Sequence, residues 1–538
     1  MDYDYIIVGA GSAGSVLANR LSEDGRYTVL VLEAGGSDLN FWIQMPIGYG
    51  KTFFDDRVNW KYMTEPETGL GGRASYWPRG KVMGGSSSIN AMVYVRGHPG
   101  DFDDWAKEAK GWGWSDVAPI FKRMETWSGG ADDHRGGYGP LHVQDVGNQV
   151  HPLCQAFLGA ARDLQIPIND DYNGASMEGA AIYQITTKNG RRASTSRCYL
   201  RPALRRPNLE LKKRAQVTRI LFEGRRATGV AYRQKGRDLT AHARREVILS
   251  GGAINSPQLL QLSGIGPGDV LQSHGIEVLL DQPHVGRHLQ DHLGLNNHYR
   301  STLPTLNQVL GPWLGRLRVG LHYLLLRGGP LSLSINQAGG FVRSDPTLDR
   351  PDLQLYFNPV SYARVPPGTR AMMSPDPFPG FLLGFNPCRP TSRGQLQIRS
   401  TDPMDPPTIR PNYLSTEEDM NLMVAGVALT RKLAATPALS AIIEEEISPG
   451  AEVTSEQDIK TFIRDQSWTV FHASCTCRMG NDPKASVVDA RLRVHGMEAL
   501  RVADASIFPS VTTGNTNAPT IMVGEKAAHM ILEDTLGV

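Results

Sequence analysis

Two kinds of hydrophobic pattern share this chain. Asp4-Tyr5-Ile6-Ile7-Val8 is a continuous apolar, β-branched run, as in a strand buried on both faces of a parallel sheet. Val16, Leu17 and Leu21 follow at helical spacing, and residues 27–32 form a second apolar strand ending at Glu33. Strand-like alternation returns over residues 209–232 and 245–250 and ends at the small-residue turn 251–257. A helix with Leu259, Leu260 and Leu262 on its apolar face then closes at Ser263-Gly264. Residues 500–504 read as another strand and 520–532 as a helix. The block 299–466 is different: residues 310–326 read as an amphipathic helix and 416–433 as another. Residues 341–343, 353–357 and 381–385 read as strands, and Leu396-Gln397-Ile398-Arg399 alternates as a half-buried antiparallel strand does. The pattern predicts an α/β domain followed by an α+β block that serves substrate binding.

Between the first strand and helix lies Gly9-Ala10-Gly11-Ser12-Ala13-Gly14, a G-x-G-x-x-G turn in the strand–turn–helix–strand frame it requires. Gly9 allows the tight turn, Gly11 lets the backbone approach a pyrophosphate at the helix N-terminus, and Gly14 lets helix and strand pack closely. Glu33, nineteen residues beyond Gly14, is placed to accept hydrogen bonds from a ribose. The stretch predicts a dinucleotide site and leaves NAD and FAD both open. A second glycine-rich loop, residues 77–92, runs into an apparent helix; it suits an anion-receptive backbone nest or a simple helix cap.

Composition narrows the classes. At 538 residues the chain is too long for a single core, so two or three domains are expected. A net charge of +2 gives no overall electrostatic case for nucleic acid or an anionic membrane as partner. Five scattered cysteines suit a reducing compartment, and Cys475-Thr476-Cys477 lacks the second pair a zinc site needs, so no metal is expected. The acidic start has no signal-peptide character, and no apolar run approaches the ~20 residues that span a bilayer. The expectation is a cytoplasmic protein with no transmembrane segment.

Four separated stretches together resemble the glucose–methanol–choline (GMC) flavoprotein oxidoreductase family. Residues 80–97 are similar to its first signature, departing at Met83 where a branched aliphatic residue or Trp is usual. Residues 252–266 (GAINSPQLLQLSGIG) match its second signature, residues 471–480 (FHASCTCRMG) its catalytic histidine segment, and residues 500–517 its closing strand and active-site loop. The resemblance spans nearly the whole chain and is strongest toward bacterial relatives of the choline dehydrogenase type that oxidise aliphatic alcohols or L-sorbose. It implies FAD rather than NAD. The Rossmann-type FAD-binding domain would be assembled from residues 1–150, 207–298 and 467–538, and residues 151–206 and 299–466 would form the substrate-binding domain with its antiparallel sheet.

Carried over by residue, the resemblance assigns Gly9, Gly11, Gly14 and Glu33 to the ADP half of FAD. Gly84, Gly85, Ser86, Asn90 and Met92 would lie along the pyrophosphate and flavin, Val217 would meet the adenine through its backbone, and Asp504 and Ala505 would sit by the pyrophosphate and ribityl chain. Ser12, Ala13, Ala34, Met83, Ala91, Val93, Ala253, Asn515 and Thr516 complete the cofactor-binding set. Relatives with covalent FAD carry a histidine where this chain has Ile89, so the cofactor is expected to be non-covalent.

The chemistry asks for a base. Hydride leaves an alcohol carbon readily only when the hydroxyl proton is removed, and a histidine with a pKa near ~6.5 is suited to take it. A second polar group holds the oxygen as it becomes alkoxide-like. The family's pair falls on His472 and Asn515, an amide that donates to the oxygen without competing for the proton. His98, His284, His288, His292 and His298 carry no marking pattern and are read as structural, and Arg191, Arg192 and Arg197 as a solvated or structural run rather than an anion site. Choline-oxidising relatives have Glu where this chain has Gln337, which favours a neutral primary alcohol, sugar or polyol as substrate. Electrons would pass to a quinone, another carrier or O₂. Choline dehydrogenase, O₂-using alcohol oxidase and, more remotely, a non-oxidative lyase on the same scaffold are the alternatives.

Overall fold

The strand Asp2–Val8 is buried over most of its length because parallel neighbours pair with both of its edges, setting Tyr5 opposite Val29 on one side and Ile6 opposite Val247 on the other. The computed structural model describes residues 2–362 and 374–536. Leu209–Lys213 extends this sheet beyond Val29–Glu33, and Leu500–Val502 extends it beyond the end of Arg237–Leu249, all parallel. The first half of Arg237–Leu249 instead pairs antiparallel with Arg226–Gln234, which pairs with Ala215–Glu223. The parallel strands are continuous Val/Ile/Leu runs because helices cover them. Ser12–Leu21 packs against the C-terminal helix Asn517–Leu536, so closely at Gly524 that a Cβ there would lie 2.9 Å from the Ala13 carbonyl. Arg20 adds a bidentate bond to Glu525 at 2.8 and 2.9 Å.

The second sheet is antiparallel throughout its main path, in the order Ile443–Ser448, Leu293–Ser301, Gly380–Pro387, Leu353–Asn358, Ala338–Val342, Gly179–Ile182. Its two central strands are buried along their full length, and Glu417–Ala434 lies on Gly380–Pro387, where Gly426 makes room for the Phe385 ring. Leu293–Ser301 runs through residue 298, and Trp468–Thr469 pairs antiparallel with its first two residues, Leu293 and Gly294.

Two predicted elements differ. The loop after Gly84 runs not into an α-helix but into one 3₁₀ turn, Gly85–Ser88, because Gly84 and Gly85 both take positive φ (85° and 52°) and the chain turns again at Met92 (φ 66°). The predicted helix over residues 310–326 breaks at Gly311-Pro312 into Leu306–Leu310 and Trp313–Leu326.

Gly14 shows how tightly the first unit is built: a Cβ there would fall 2.0 Å from the Gly9 carbonyl oxygen. Gly14→Ala is expected to cost about 1–3 kcal/mol in chemical denaturation, and a variant as stable as the parent would contradict this packing.

Candidate active site

The parallel strands end on one edge of their sheet, and the turns that follow Val8, Glu33, Leu249 and Val502 open into one cavity of ≈ 320 Å³. At one end Gly9, Gly11, Ser12 and Ala13 form the wall. The N-cap residue Gly11 has no side chain to satisfy the first amides of Ser12–Leu21, which stay available to an anion. Gly85 closes over this turn from the other side; a Cβ on it would lie 2.8 Å from Gly11 Cα, and one on Gly9 would lie 2.6 Å from the Ser250 oxygen. Beside them Glu33 accepts from the Ala10 amide at 2.9 Å and the Gly35 amide at 2.7 Å, and burial pushes its pKa up to about 7. Val217 lines the cavity from the outermost strand, and Ala34 and Ala253 complete this end. A bare backbone cradle, an uncapped helix start and a buried carboxyl fit the phosphates and ribose of a dinucleotide.

Ser86, Asn90, Ala91, Met92 and Val93 continue the wall. Their loop is held from behind by Arg192, which is buried rather than solvated. Its guanidinium donates to the carbonyls of Ile43, Ser87 and Asn90 and to Asn90 Oδ1, and burial without a carboxylate lowers its pKa to about 9. Asp504 anchors the opposite wall, accepting from the Gly252 amide, Ser256 Oγ and the Ser506 amide at 2.6–2.8 Å, with Ala505 beside it.

His472, Asn515 and Thr516 line the same cavity. The backbone turns sharply before the histidine: Phe471 has φ 71° and is held by rings of Phe53 and Trp468 and by Arg79 Nη1, which donates to its carbonyl at 2.7 Å. The His472 amide donates to buried Asp291 at 2.6 Å. His472 Nδ1 lies 2.8 Å from His292 Nδ1, and His292 Nε2 lies 2.8 Å from the Cys388 carbonyl. Asn515 Nδ2 is 3.0 Å from His472 Nε2, and Asn515 Oδ1 accepts from Gln354 Nε2 at 3.3 Å.

This network assigns the protons. A carbonyl only accepts, so His292 carries its proton on Nε2. Burial lowers the His292 pKa to about 4, so it is neutral and offers Nδ1 as an acceptor. His472 Nδ1 therefore donates, which leaves its Nε2 unprotonated on the cavity side, facing the amide of Asn515. Burial, then His292 and Arg79, hold the His472 pKa well below the usual histidine value. The arrangement is a neutral base with a fixed tautomer beside an amide donor.

Of the residues expected at the site, Gly14, Met83 and Gly84 lie outside the cavity wall. Gly14 serves helix–strand packing, Met83 is buried in the core, and Gly84 shapes the turn, its amide donating to the Ala10 carbonyl at 2.7 Å. The others converge on it. His292, read as structural, instead touches His472. No local spacing could reveal this, because the partner lies 180 positions away. Gln337 is off the wall too; its Oε1 accepts from the His151 amide at 2.7 Å.

Residues 3–294 and 390–524 match the N- and C-terminal family models described as GMC oxidoreductase. The mouse protein named choline dehydrogenase, mitochondrial, is 45% identical over 98% of this chain and 89% of its own length. A Pseudomonas putida protein named alcohol dehydrogenase [acceptor] is 44% identical over 98% of this chain and 96% of its own. The crystal structure of pyridoxine 4-oxidase from Mesorbium loti superposes with a TM-score of 0.88 at 32% identity, covering 98% of each chain.

Gly85→Ala places a side chain against the Gly11 backbone at a positive φ. That contact, 2.8 Å from Gly11 Cα, is expected to weaken FAD uptake at least about tenfold, measured by titrating the apoprotein with FAD; unchanged affinity would show that the cradle does not hold the dinucleotide.

Proposed function

This chain belongs to the GMC oxidoreductase family, and we propose that it oxidises a neutral primary alcohol, sugar or polyol with His472 as the base and Asn515 as the oxygen holder. The protein is an FAD-dependent oxidoreductase acting on alcohols. The supporting observation is the unprotonated Nε2 of His472 beside the Asn515 amide, in the same cavity as the Gly9–Glu33 cradle. In this reading Gly9, Gly11, Ser12, Ala13, Glu33 and Val217 hold the ADP half, and Gly85 to Val93 run along the rest. The FAD is non-covalent because Ile89, which lines the cavity, offers no bond-forming atom. We divide the chain into a cofactor body (residues 1–150, 207–298 and 467–538) and a substrate body (residues 151–206 and 299–466), with Leu293–Ser301 running between them.

FAD, when bound, takes up the hydride equivalent. The protein's residues handle the proton and the oxygen. The substrate hydroxyl donates to His472 Nε2, which becomes imidazolium as the proton transfers, while Nδ1–H keeps its bond to His292. Asn515 Nδ2 carries two N–H groups, and one turns to the oxygen as its negative charge grows. Phe53, Tyr356, Phe385, Trp468 and Phe471 wall this end against water.

The wall favours an uncharged substrate. Among the described residues its only carboxylates are Glu33, at the ribose end, and Asp504, whose oxygens are engaged by Gly252, Ser256 and Ser506. Arg79, buried close to the histidine loop, adds positive charge. Choline is the second reading, supported by the aromatic wall, which suits a quaternary ammonium, and by relatives named choline dehydrogenase. The acceptor is not NAD; we infer a quinone or another carrier, or O₂. Five free cysteines support a cytoplasmic setting.

An anaerobic screen of alcohols, sugars and choline, read by bleaching of the bound flavin, tests the substrate class: neutral alcohols are expected to bleach it, and a response to choline alone would reverse the choice. His472→Ala is expected to keep FAD and lose about 10²–10⁴ in reduction rate; a near-normal rate removes His472 as base. His292→Phe, which leaves His472 Nδ1–H without an acceptor, is expected to slow the same step about 10–100-fold. Because the His472 pKa lies well below 6.5, the base stays unprotonated as pH falls through that value. Reduction should therefore hold constant through pH ~6.5 and fail only at lower pH; an acid limb centred at or above ~6.5 would contradict the buried neutral imidazole.

A further inference from the structure

We propose that the outward face of the helix Trp313–Leu326 is a docking surface for an anionic lipid bilayer. This helix buries only Val319 and Tyr323. At about 100° per residue, Trp313, Leu324, Leu317, Leu321, Leu314 and Leu325 occupy one arc of about 120°, directed away from that buried pair. They are exposed, Trp313 at 69% and Leu325 at 79%. An amphipathic helix normally turns its apolar arc inward; this one turns it out.

Charge identifies what covers the arc. Arg316 and Arg327 flank it on one side, Arg318 and His322 on the other, and no Asp or Glu occurs in the sequence between Asp291 and Asp345. The net charge of +2 averages over this local excess. A second copy of the chain meeting this face through a two-fold axis would set arginines against arginines. Anionic headgroups at the level of the arginines, with acyl chains over the leucines, satisfy both parts. A 14-residue helix is only about 21 Å long, too short for a hydrocarbon core of about 30 Å, and among the described residues no helix is long and apolar enough to cross a membrane. The helix therefore lies in the interface.

A second exposed patch adjoins it. Phe41 and Trp42, 46% and 38% exposed, sit on a short helix that packs against the Pro46–Gly48 turn. That turn packs on Pro330–Ser332, which packs on Trp313–Leu326; Tyr323 Oη also donates to the Gly190 carbonyl in the neighbouring hairpin at 2.9 Å. Three residues beyond Pro330–Ser332, Ile335 lines the cavity.

The test is co-sedimentation of the FAD-loaded protein with sucrose-filled vesicles of phosphatidylcholine containing phosphatidylglycerol, or of phosphatidylcholine alone. The protein should sediment with the anionic vesicles and release at high salt. Leu321→Glu/Leu325→Glu should lower binding about tenfold or more, with thermal melting and flavin spectrum unchanged because both side chains are exposed. Arg316→Glu/Arg318→Glu should lower it about tenfold. The proposal is overturned if the protein stays in the supernatant with both vesicle types, binds both equally, or loses nothing in the Glu variant. It is equally overturned if sedimentation velocity shows dimers that Leu321→Glu/Leu325→Glu dissociates.

Discussion

A line of hydrogen bonds from the Cys388 carbonyl through His292 and His472 to Asn515 sets the proton positions on which the proposed chemistry depends. A backbone oxygen fixed in the fold cannot donate, and that one asymmetry propagates through two buried imidazoles to determine which nitrogen faces the cavity. Each link comes from a distant part of the chain. Cys388 follows the fully buried strand Gly380–Pro387, and His292 immediately precedes the strand Leu293–Ser301. His472 follows the tight turn at Phe471, and Asn515 precedes the C-terminal helix Asn517–Leu536. The two sheets have to assemble correctly before a base of the right tautomer exists.

Burial contributes the rest. An exposed histidine near pH 7 is divided between charged and neutral forms, whereas His472 is held neutral by desolvation, by its histidine neighbour and by Arg79. The same desolvation acts oppositely on Glu33 in the same cavity, raising its pKa to about 7. Desolvation in one cavity thus keeps a base unprotonated and raises a carboxyl toward neutrality at one pH.

The cofactor half was largely legible in the sequence because its signals are local. The G-x-G-x-x-G turn works through steric limits at Gly9, Gly14 and Gly85 that no other residue meets, and the parallel strands announce themselves as apolar runs. The pair proposed here as catalytic, His472 and Asn515, was suggested by the resemblance of residues 471–480 and 500–517 to family motifs, and the fold brings the two side chains within 3.0 Å. His292 was not, because its role arises from a contact across 180 positions rather than from neighbours in sequence. Nor was the burial of Arg192, whose charge suggested surface while its acceptors are carbonyls of Ile43, Ser87 and Asn90. Helical periodicity over residues 310–326 located an apolar face but not its direction. That face looks outward, and only three-dimensional placement of Val319 and Tyr323 against the body shows it.

The imidazole proton assignment can be observed directly. In protein labelled with ¹⁵N-histidine, with FAD bound and His472→Gln as the assignment control, the His472 resonances at neutral pH are expected to show a protonated Nδ1 and a bare Nε2. An Nε2–H tautomer or an imidazolium would contradict the hydrogen-bond line from Cys388 and the proton chemistry proposed for the site.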